Sequence, residues 1–208
     1  MTQAPQPAPA TAADAARFQR ALAAIDAANA RDPAHIDIRG TSRPKELAHA
    51  ELLSAVVQSL RPDAPEPLLL AARAHHIERW RIPRSTYPPG RNGYLRWRRD
   101  LHAFHAKRAG EILRACGYDD ATIERVAEIV RKHRLQADPD VQALEDGLCI
   151  VFLETQLDDL GDRIDDDKMV TVLQKTWRKM SPAGQQAALG LDLSEHGRRL
   201  VERALAEN

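Results

Sequence analysis

From about residue 13 to the end of the chain, apolar residues recur three or four positions apart, as they do on one face of an α-helix. No convincing run alternates apolar and polar residues in the manner of a half-buried strand. The pattern therefore predicts an all-α fold, a helical bundle. The predicted helices cover about residues 13–30, 45–60, 67–80, 95–116, 120–134 and 139–160, and two or three more begin near Asp165, Ser181 and Ser194.

Three segments lack helical periodicity. Residues 1–12 are rich in Pro and Ala and are expected to form a disordered tail. The segment RDPAHIDIRGTS (31–42) is expected to be a polar connector. The segment RIPRSTYPPGRNGY (81–94) is dense in Pro and Gly and is expected to form a long ordered loop, an arm inserted in the bundle. The remaining chain, 13–208, is expected to fold as one domain.

Composition narrows the class of protein. The chain has 208 residues, of which 43% are hydrophobic and 29% charged, and its formal net charge is zero. Any attraction to nucleic acid must therefore come from a local patch. The two cysteines form no CxxC pair, the apolar run LCIVFL (148–153) is too short to span a bilayer, and the N-terminus does not resemble a signal peptide. These features favour a cytoplasmic protein without a membrane partner.

Histidines are concentrated on the apolar faces of the predicted helices. The polar residues on these faces are His49, His75, His76, His105, His133 and Asp146. A single histidine in such a place is usually a hydrogen-bonded core residue. Here five predicted helices carry such a polar residue, and chance is a less economical explanation for all of them than a shared metal centre. Imidazole and carboxylate are common ligands of Zn, Mn, Fe and Ni. We predict metal ligation by His49, His75, His76, His105 and Asp146.

Arginines and aromatic residues alternate between positions 79 and 99. The segment contains seven arginines and no acid: Arg79, Arg81, Arg84, Arg91, Arg96, Arg98 and Arg99. Guanidinium groups bind phosphate in a bidentate manner, and aromatic rings stack on bases. We predict phosphate binding by Arg79, Arg81, Arg84 and Arg91, and base stacking by Trp80 and Tyr87. Alternatively, Arg96, Arg98 or Arg99 pair with the acidic run 158–167 and only fix the arm in place.

The order of these residues resembles the HD-domain superfamily of metal-dependent phosphohydrolases, an all-α fold with a signature of His, a His-Asp pair and a distant Asp. His49 resembles the first histidine, and AARAHHIERW (71–80) is similar to the helix that ends in the pair. HAKRAGEILRACGY from His105, IVRKHR with His133 and LEDGLCIVFLE with Asp146 resemble the later segments. The likeness covers about residues 45–160 and implies an HD-domain-like bundle.

One position departs from that signature. His76 stands where the superfamily has an Asp that can bridge two metals, which favours a single ion, an altered geometry or a loss of catalysis. Within the superfamily the chain more closely resembles an uncharacterised family, domain of unknown function 4202. That resemblance is carried by HHIERWRIPRSTYPPGRNGYLRWR, FHAKRAGEILRACGY, LEDGLCIVFLE and LQKTWRKMS, and it implies no activity.

The resemblance implies a phosphomonoesterase or phosphodiesterase that acts on a nucleotide or on the terminal phosphate of a nucleic acid such as an RNA end. The cofactor would be a divalent ion, one of Mn, Fe, Ni, Co, Zn or Mg. His102 or His133 would orient the attacking water or protonate the leaving oxygen. Two alternatives stay open: a noncatalytic module that binds RNA or a nucleotide through the arginines, and a diiron oxygenase of the HD type.

Overall fold

The structure, a computed structural model, describes residues 11–38, 40–161 and 163–206, and most of them are helical. This confirms the predicted all-α class. In the first part of the chain the helices are α1 (Ala12–Asn29), α2 (Lys45–Leu60), α3 (Glu66–Ala74), α4 (Gly90–Ala115) and α5 (Asp120–Val130). In the second part they are α6 (Pro139–Thr155), α7 (Leu157–Gly161), α8 (Asp166–Trp177), α9 (Pro182–Leu189) and α10 (Glu195–Ala206). Most of the predicted tail, residues 1–10, lies outside the described residues.

The segment predicted to be a polar connector is instead a small β-hairpin. Strands β1 (His35–Ile38) and β2 (Thr41–Pro44) pair antiparallel, with Ile38 opposite Thr41. Gly40 adopts a positive φ of 79° in the turn, and its N–H donates to the Asp37 carboxylate at 2.7 Å. Strands of four residues are too short for the alternation of side chains to stand out in a sequence, so the hairpin was missed.

Helix α3 lies at the centre of the first of two hydrophobic clusters. Its residues Leu68, Leu70, Ala71, Ala72 and Ala74 are fully buried, as expected of a helix that is apolar nearly all round. Helices α1, α2, α5 and α6 surround it. The second half of α6 joins α7, α8, α9 and α10 in the other cluster. Helix α6 therefore belongs to both clusters and connects them.

The predicted helix starts are mostly correct. Thr11, Asp119, Asp138, Asp165 and Ser181 each accept a backbone N–H from the first turn of the helix that follows. Helix α2 begins without a cap from its own preceding residue, but the N–H of Glu46 donates to the buried Asp32 carboxylate at 3.0 Å. This contact fixes the first turn of α2, where the candidate site begins.

Several helix ends and one start differ from the prediction, because backbone turns interrupt an apolar pattern that continues. Helix α3 ends at Ala74 and not near Trp80, and Glu78 is left-handed, with φ 50°. The predicted arm contains two 3-10 turns, Arg79–Arg81 and Arg84–Thr86, before α4 begins at Gly90. Helix α5 ends at Val130, and α6 ends at Thr155, where a separate α7 follows.

Within the described ranges, no helix combines the length and the apolar composition that a bilayer crossing needs.

Candidate functional site

A cavity of about 250 Å³ lies between α2, α4, α6 and the turn after α3. Its apolar wall comes mainly from α2, α4 and α6: Leu53, Leu101, Leu148, Val151 and Phe152. The polar wall carries four histidines and one acid: His49, His75, His76, His102 and Glu145. Four cationic side chains complete it: Arg79, Arg98, Lys132 and Lys179. An apolar pocket with convergent charged groups has the character of a small-molecule binding site.

Glu46 is a buried acid that lies among the histidines. Its Oε2 atom is 3.8 Å from Nδ1 of His49 and 3.6 Å from Nδ1 of His76, too far for a hydrogen bond in either case. Burial alone would raise the pKa of Glu46, but the two neighbouring imidazoles outweigh it and lower that pKa. Glu46 is therefore a buried carboxylate whose Oε2 atom lies near two imidazoles and has no hydrogen-bond partner among the residues that the structure describes.

Four buried side-chain atoms in this cluster have no hydrogen-bond partner among the described residues: Glu46 Oε2, His49 Nε2, His75 Nδ1 and His105 Nε2. Buried polar atoms in folded proteins are nearly always paired, which makes four unpaired atoms in one cluster exceptional. The imidazole rings adjoin one another, with 4.4 Å between the centroids of His75 and His76 and 5.7 Å between those of His76 and His105. We call Glu46, His49, His75, His76 and His105 the histidine cluster.

The ring orientation of His105 is set by the backbone. Its Nδ1 lies 2.8 Å from the carbonyl oxygen of Ile77, which accepts the N–H of that nitrogen. The other ring nitrogen, Nε2, is then an unprotonated lone-pair donor, and it is one of the partnerless atoms. A histidine held this way by a carbonyl has the arrangement common among metal-ligating histidines.

Four imidazoles of the site, those of His75, His76, His102 and His105, are neutral at pH 7. Burial lowers the pKa of His76 and of His102 to about 4 and that of His105 to about 3, and nearby charged and histidine side chains contribute to each. Burial also lowers the pKa of His75 well below its usual value. Neutral rings offer lone pairs rather than positive charge, which is the form a metal ion requires.

The donor set fits a divalent transition ion in its chemistry. Imidazole nitrogen and carboxylate oxygen without other partners are ligands that Zn, Mn, Fe, Co and Ni accept. Among the described residues, no three His, Cys, Asp or Glu side chains are already grouped closely enough to hold an ion. Binding an ion therefore requires the side chains of the histidine cluster to rotate toward a common point.

The structure does not bring Asp146 into the histidine cluster. Its carboxylate accepts the N–H of Ser181 at 2.8 Å, the hydroxyl of Ser181 at 2.5 Å and the side-chain amide of Gln142 at 2.8 Å. These bonds attach the start of α9 to α6. Neighbouring residues on a helix point about 100° apart, and here Glu145, not Asp146, faces the cavity.

Lys132 and Glu145 form a partly buried ion pair in the cavity wall. Lys132 has a left-handed backbone, with φ 59°, in the turn after α5. Burial lowers the pKa of its ammonium group, although Glu145 opposes this shift. Lys179 lies 3.8 Å from the same carboxylate, and Arg98 lines the cavity nearby. Three cations thus surround one acid, which leaves net positive charge available for an anion.

Arg79 is the predicted phosphate-binding residue that reaches the cavity. Its guanidinium lies 4.9 Å from the ring centroid of Trp97, a cation–π contact. Trp97 donates its indole N–H to the carbonyl of Ile82 at 2.9 Å, which holds the arm against α4. Trp97 and Tyr94, with ring centroids 5.9 Å apart, form the aromatic part of the cavity wall.

The other predicted phosphate and stacking residues are placed outside the cavity. Arg81 is bonded to the Glu78 carboxylate at 3.0 Å, and Arg84 donates to the backbone carbonyl of Tyr87 at 3.0 Å. Arg91 is exposed on the first turn of α4. Tyr87 donates its hydroxyl to Asp100 at 3.0 Å, and Trp80 is half-buried away from the cavity wall.

His102 lines the cavity, whereas His133 does not. His133 was expected on the core-facing stripe of a helix that reaches residue 134. Because α5 ends at Val130 and Lys132 turns left-handed, the side chain of His133 leaves that stripe and is exposed. Of the two residues proposed for proton transfer, only His102 is positioned at the site.

Sequence reasoning missed Glu46 and the cavity-lining role of Arg98, Lys132 and Lys179. A signal for Arg98 was present, because Arg98, His102 and His105 are four and three positions apart and so share one face of α4. Glu46 stands three residues before His49, also on a shared face. Lys132 gave no such signal, since its position depends on a left-handed turn that the pattern does not reveal.

Comparison with known proteins identifies one family. The family model described as Domain of unknown function (DUF4202) matches residues 19–201, which includes every residue of the histidine cluster and of the cavity wall. Neither the curated proteins nor the solved structures that were compared contain a match to this chain.

Proposed function

The chain belongs to the DUF4202 family, and we propose that it is a metal-dependent phosphohydrolase acting on a nucleotide or on a nucleic-acid terminal phosphate. The observation that carries the proposal is the cluster of four buried, partnerless donor atoms beside a cavity with four cations. Either feature alone has simpler explanations. Together they provide lone pairs for a metal ion and positive charge for a phosphate in the same place.

The histidine cluster would hold the ion. Glu46 supplies a carboxylate near His76, where the HD signature would have its Asp, so the missing acid is replaced from another helix. His75 and His105 supply neutral nitrogens, and His49 adds a third buried ring nitrogen. A divalent ion bound there would acidify a water ligand and offset charge on the phosphate. The resemblance to the HD superfamily supports this reaction class, and membership of that superfamily is part of the proposal.

The cations of the cavity would bind the phosphate group. Arg79 and Arg98 can donate paired N–H groups to phosphate oxygens, and Lys132 adds a buried point charge. These groups are held by Trp97, Tyr94 and Glu145 before any ligand arrives. Such preorganised charge stabilises the equatorial oxygens of a phosphoryl transition state.

His102 would accept a proton from the attacking water. It lines the cavity, and burial together with Lys132 and Arg98 lowers its pKa to about 4, so its ring is unprotonated at pH 7. A neutral imidazole can act as a general base from the start of the reaction. Tyr94 and Trp97 offer ring faces on which a base could stack.

A noncatalytic module that binds a nucleotide is the second candidate. It is favoured by one observation: Asp146, which resembles the final Asp of the HD signature, is fully engaged with Ser181 and Gln142. In that case the cavity would bind phosphate through its cations without hydrolysing it.

The test is a hydrolysis screen of metal-stripped protein reloaded with Mn, Co, Ni or Mg, using mononucleotides and RNA carrying a 5′- or 3′-phosphate. The proposal expects phosphate release that depends on the ion and is abolished in His105→Ala. Nucleotide binding without release under any ion would support the module instead. Release that continues in His105→Ala, or in the absence of any ion, would contradict the proposal.

A further inference from the structure

One face of α4 leads from the protein surface to the histidine cluster. Arg91, Tyr94, Arg98, His102 and His105 follow one another at spacings of three or four residues, so they lie along a single stripe of the helix. Arg91 and Tyr94 are exposed, Arg98 and His102 are half-buried and line the cavity, and His105 is buried. A ligand bound along this stripe would extend from the protein surface into the cavity while contacting α4 throughout.

The outer part of the stripe consists of an exposed cation, Arg91, and an exposed ring, Tyr94, which also contacts Trp97 and Arg98. Arg91 makes no hydrogen bond or ion pair with any residue that the structure describes. Tyr94 is 42% exposed, an unusual condition for a large aromatic residue, and its hydroxyl accepts only a long bond of 3.3 Å from Arg98. Exposed aromatic rings beside unpaired arginines are the components of single-stranded nucleic-acid sites.

The length of the stripe exceeds one phosphate group. Arg91 and Arg98 are seven residues apart, which is about 10 Å along a helix axis. The two arginines suit successive phosphates of one strand, with Tyr94 between them for a base.

We infer that the Arg91–Tyr94–Arg98 stripe binds a single-stranded nucleic acid whose terminal phosphate enters the cavity. This inference rests on the proposed function only for the terminal phosphate. It extends the binding surface from the cavity wall, where Tyr94 and Arg98 lie, to Arg91 outside the cavity, and it selects an oligonucleotide end over a mononucleotide as the ligand. A duplex fits less well, because paired bases do not offer a free face to the Tyr94 ring.

Helix α4 also provides a matched control. Arg96 is exposed on the same helix and, like Arg91, makes no hydrogen bond or ion pair with the described residues. It lies five positions from Arg91, which places it about 140° around the helix and off the stripe. Arg91→Ala and Arg96→Ala remove the same charge from the same helix and differ only in the face that loses it.

Binding of a short, internally labelled RNA with a terminal phosphate is measured by fluorescence anisotropy, alongside a mononucleotide competitor. A chelator in the buffer keeps hydrolysis out of the assay, so the result does not depend on whether the protein is an enzyme. Arg91→Ala is expected to reduce the ratio of RNA to mononucleotide affinity about fivefold, and to reduce the slope of log affinity against log salt by about 0.7, the value for one single-strand phosphate contact. Arg96→Ala is expected to change neither by a comparable amount.

Three results would overturn the inference: equal losses in Arg91→Ala and Arg96→Ala, no loss in Arg91→Ala, or equal binding of a duplex of the same sequence. Equal losses would mean that only the general positive charge of the helix matters. None of these results bears on hydrolysis of a mononucleotide in the cavity, so the proposed function and this inference can fail separately.

Discussion

Two glutamates, Glu46 and Glu78, are equally buried but have opposite surroundings. The Glu78 carboxylate accepts hydrogen bonds at 3.0 Å from each of three arginines, Arg31, Arg81 and Arg108. The Oε2 atom of Glu46 has no hydrogen-bond partner among the described residues. It lies 3.6 Å from Nδ1 of His76 and 3.8 Å from Nδ1 of His49. The two residues therefore differ in their partners and not in their burial.

The difference indicates what each carboxylate is for. A buried charge costs several kcal/mol unless it is compensated. At Glu78 the compensation is complete and comes from the protein, so this residue joins the end of α1, the arm and α4. At Glu46 the compensation is incomplete, because no residue that the structure describes donates a hydrogen bond to Oε2. That arrangement suits a site that a cation completes.

The largest expected effect is that of Glu46→Gln. The amide keeps the size of the side chain but removes the negative charge, so affinity for a divalent ion is expected to fall about 100-fold or more. Stability of the metal-free protein should be unchanged or slightly lower, because the imidazoles that lower the pKa of Glu46 favour its charged form in the folded protein. Metal content after gel filtration and a thermal melt check both parts. Tight ion binding by this variant would contradict the difference in role drawn between Glu46 and Glu78.

Glu78→Gln should have the opposite profile. Loss of the charge leaves three arginines without their common partner, and because these arginines are partly exposed we expect a decrease in unfolding free energy of about 2 kcal/mol. Metal binding should be retained. Denaturant unfolding measures the first expectation, and a variant that loses metal while remaining folded would show that Glu78 is not purely structural.

The stabilisation by Glu78 should depend on pH in a defined direction. Burial would raise the pKa of Glu78, but Arg81 and Arg108 lower it below its ordinary value in the folded protein. A carboxyl whose folded pKa is depressed stabilises fully above the unfolded pKa, and this stabilisation is lost as the pH falls through the folded value. The stability difference between the wild type and Glu78→Gln should therefore be constant near neutrality and shrink below about pH 4.3. A difference that is unchanged in acid would contradict this account of the arginine contacts.

Asp146→Asn is expected to have the smallest effect of the acid substitutions. Asp146 resembles Glu78 in being fully paired, so its replacement should weaken the contact between α6 and α9 by about 1 kcal/mol. Ion binding should persist. A loss of bound metal equal to that of Glu46→Gln would instead return Asp146 to the ligand set predicted from the sequence.

The parts of the fold that local chemistry determines were predictable. Asp165, Ser181 and Ser194 were identified as helix starts because a short polar side chain before an apolar repeat favours a helix N-cap. The central position of α3 followed from its nearly continuous apolar surface. His49, His75, His76 and His105 lie near one another, as their positions on apolar faces suggested, and their ligation of one ion stays a prediction.

The missed parts depend on tertiary contacts or on a single-residue rotation. Glu46 looks like an ordinary acid in the first turn of a helix, where the helix dipole favours one. Glu145 and Asp146 are adjacent, and only the exact rotation of α6 decides which of them faces the cavity. Lys132 follows an apolar pattern that predicts more helix, but the chain turns left-handed there. His133 was misplaced for the same reason.

Titration of metal-stripped protein with Co²⁺, followed by visible absorption, tests the central claim most directly. The account predicts that the wild type and Glu78→Gln bind the ion with new absorption bands in the visible region, and that Glu46→Gln and His105→Ala lose them. Failure of the folded wild type to bind Co²⁺, or equal binding by Glu46→Gln, would contradict it.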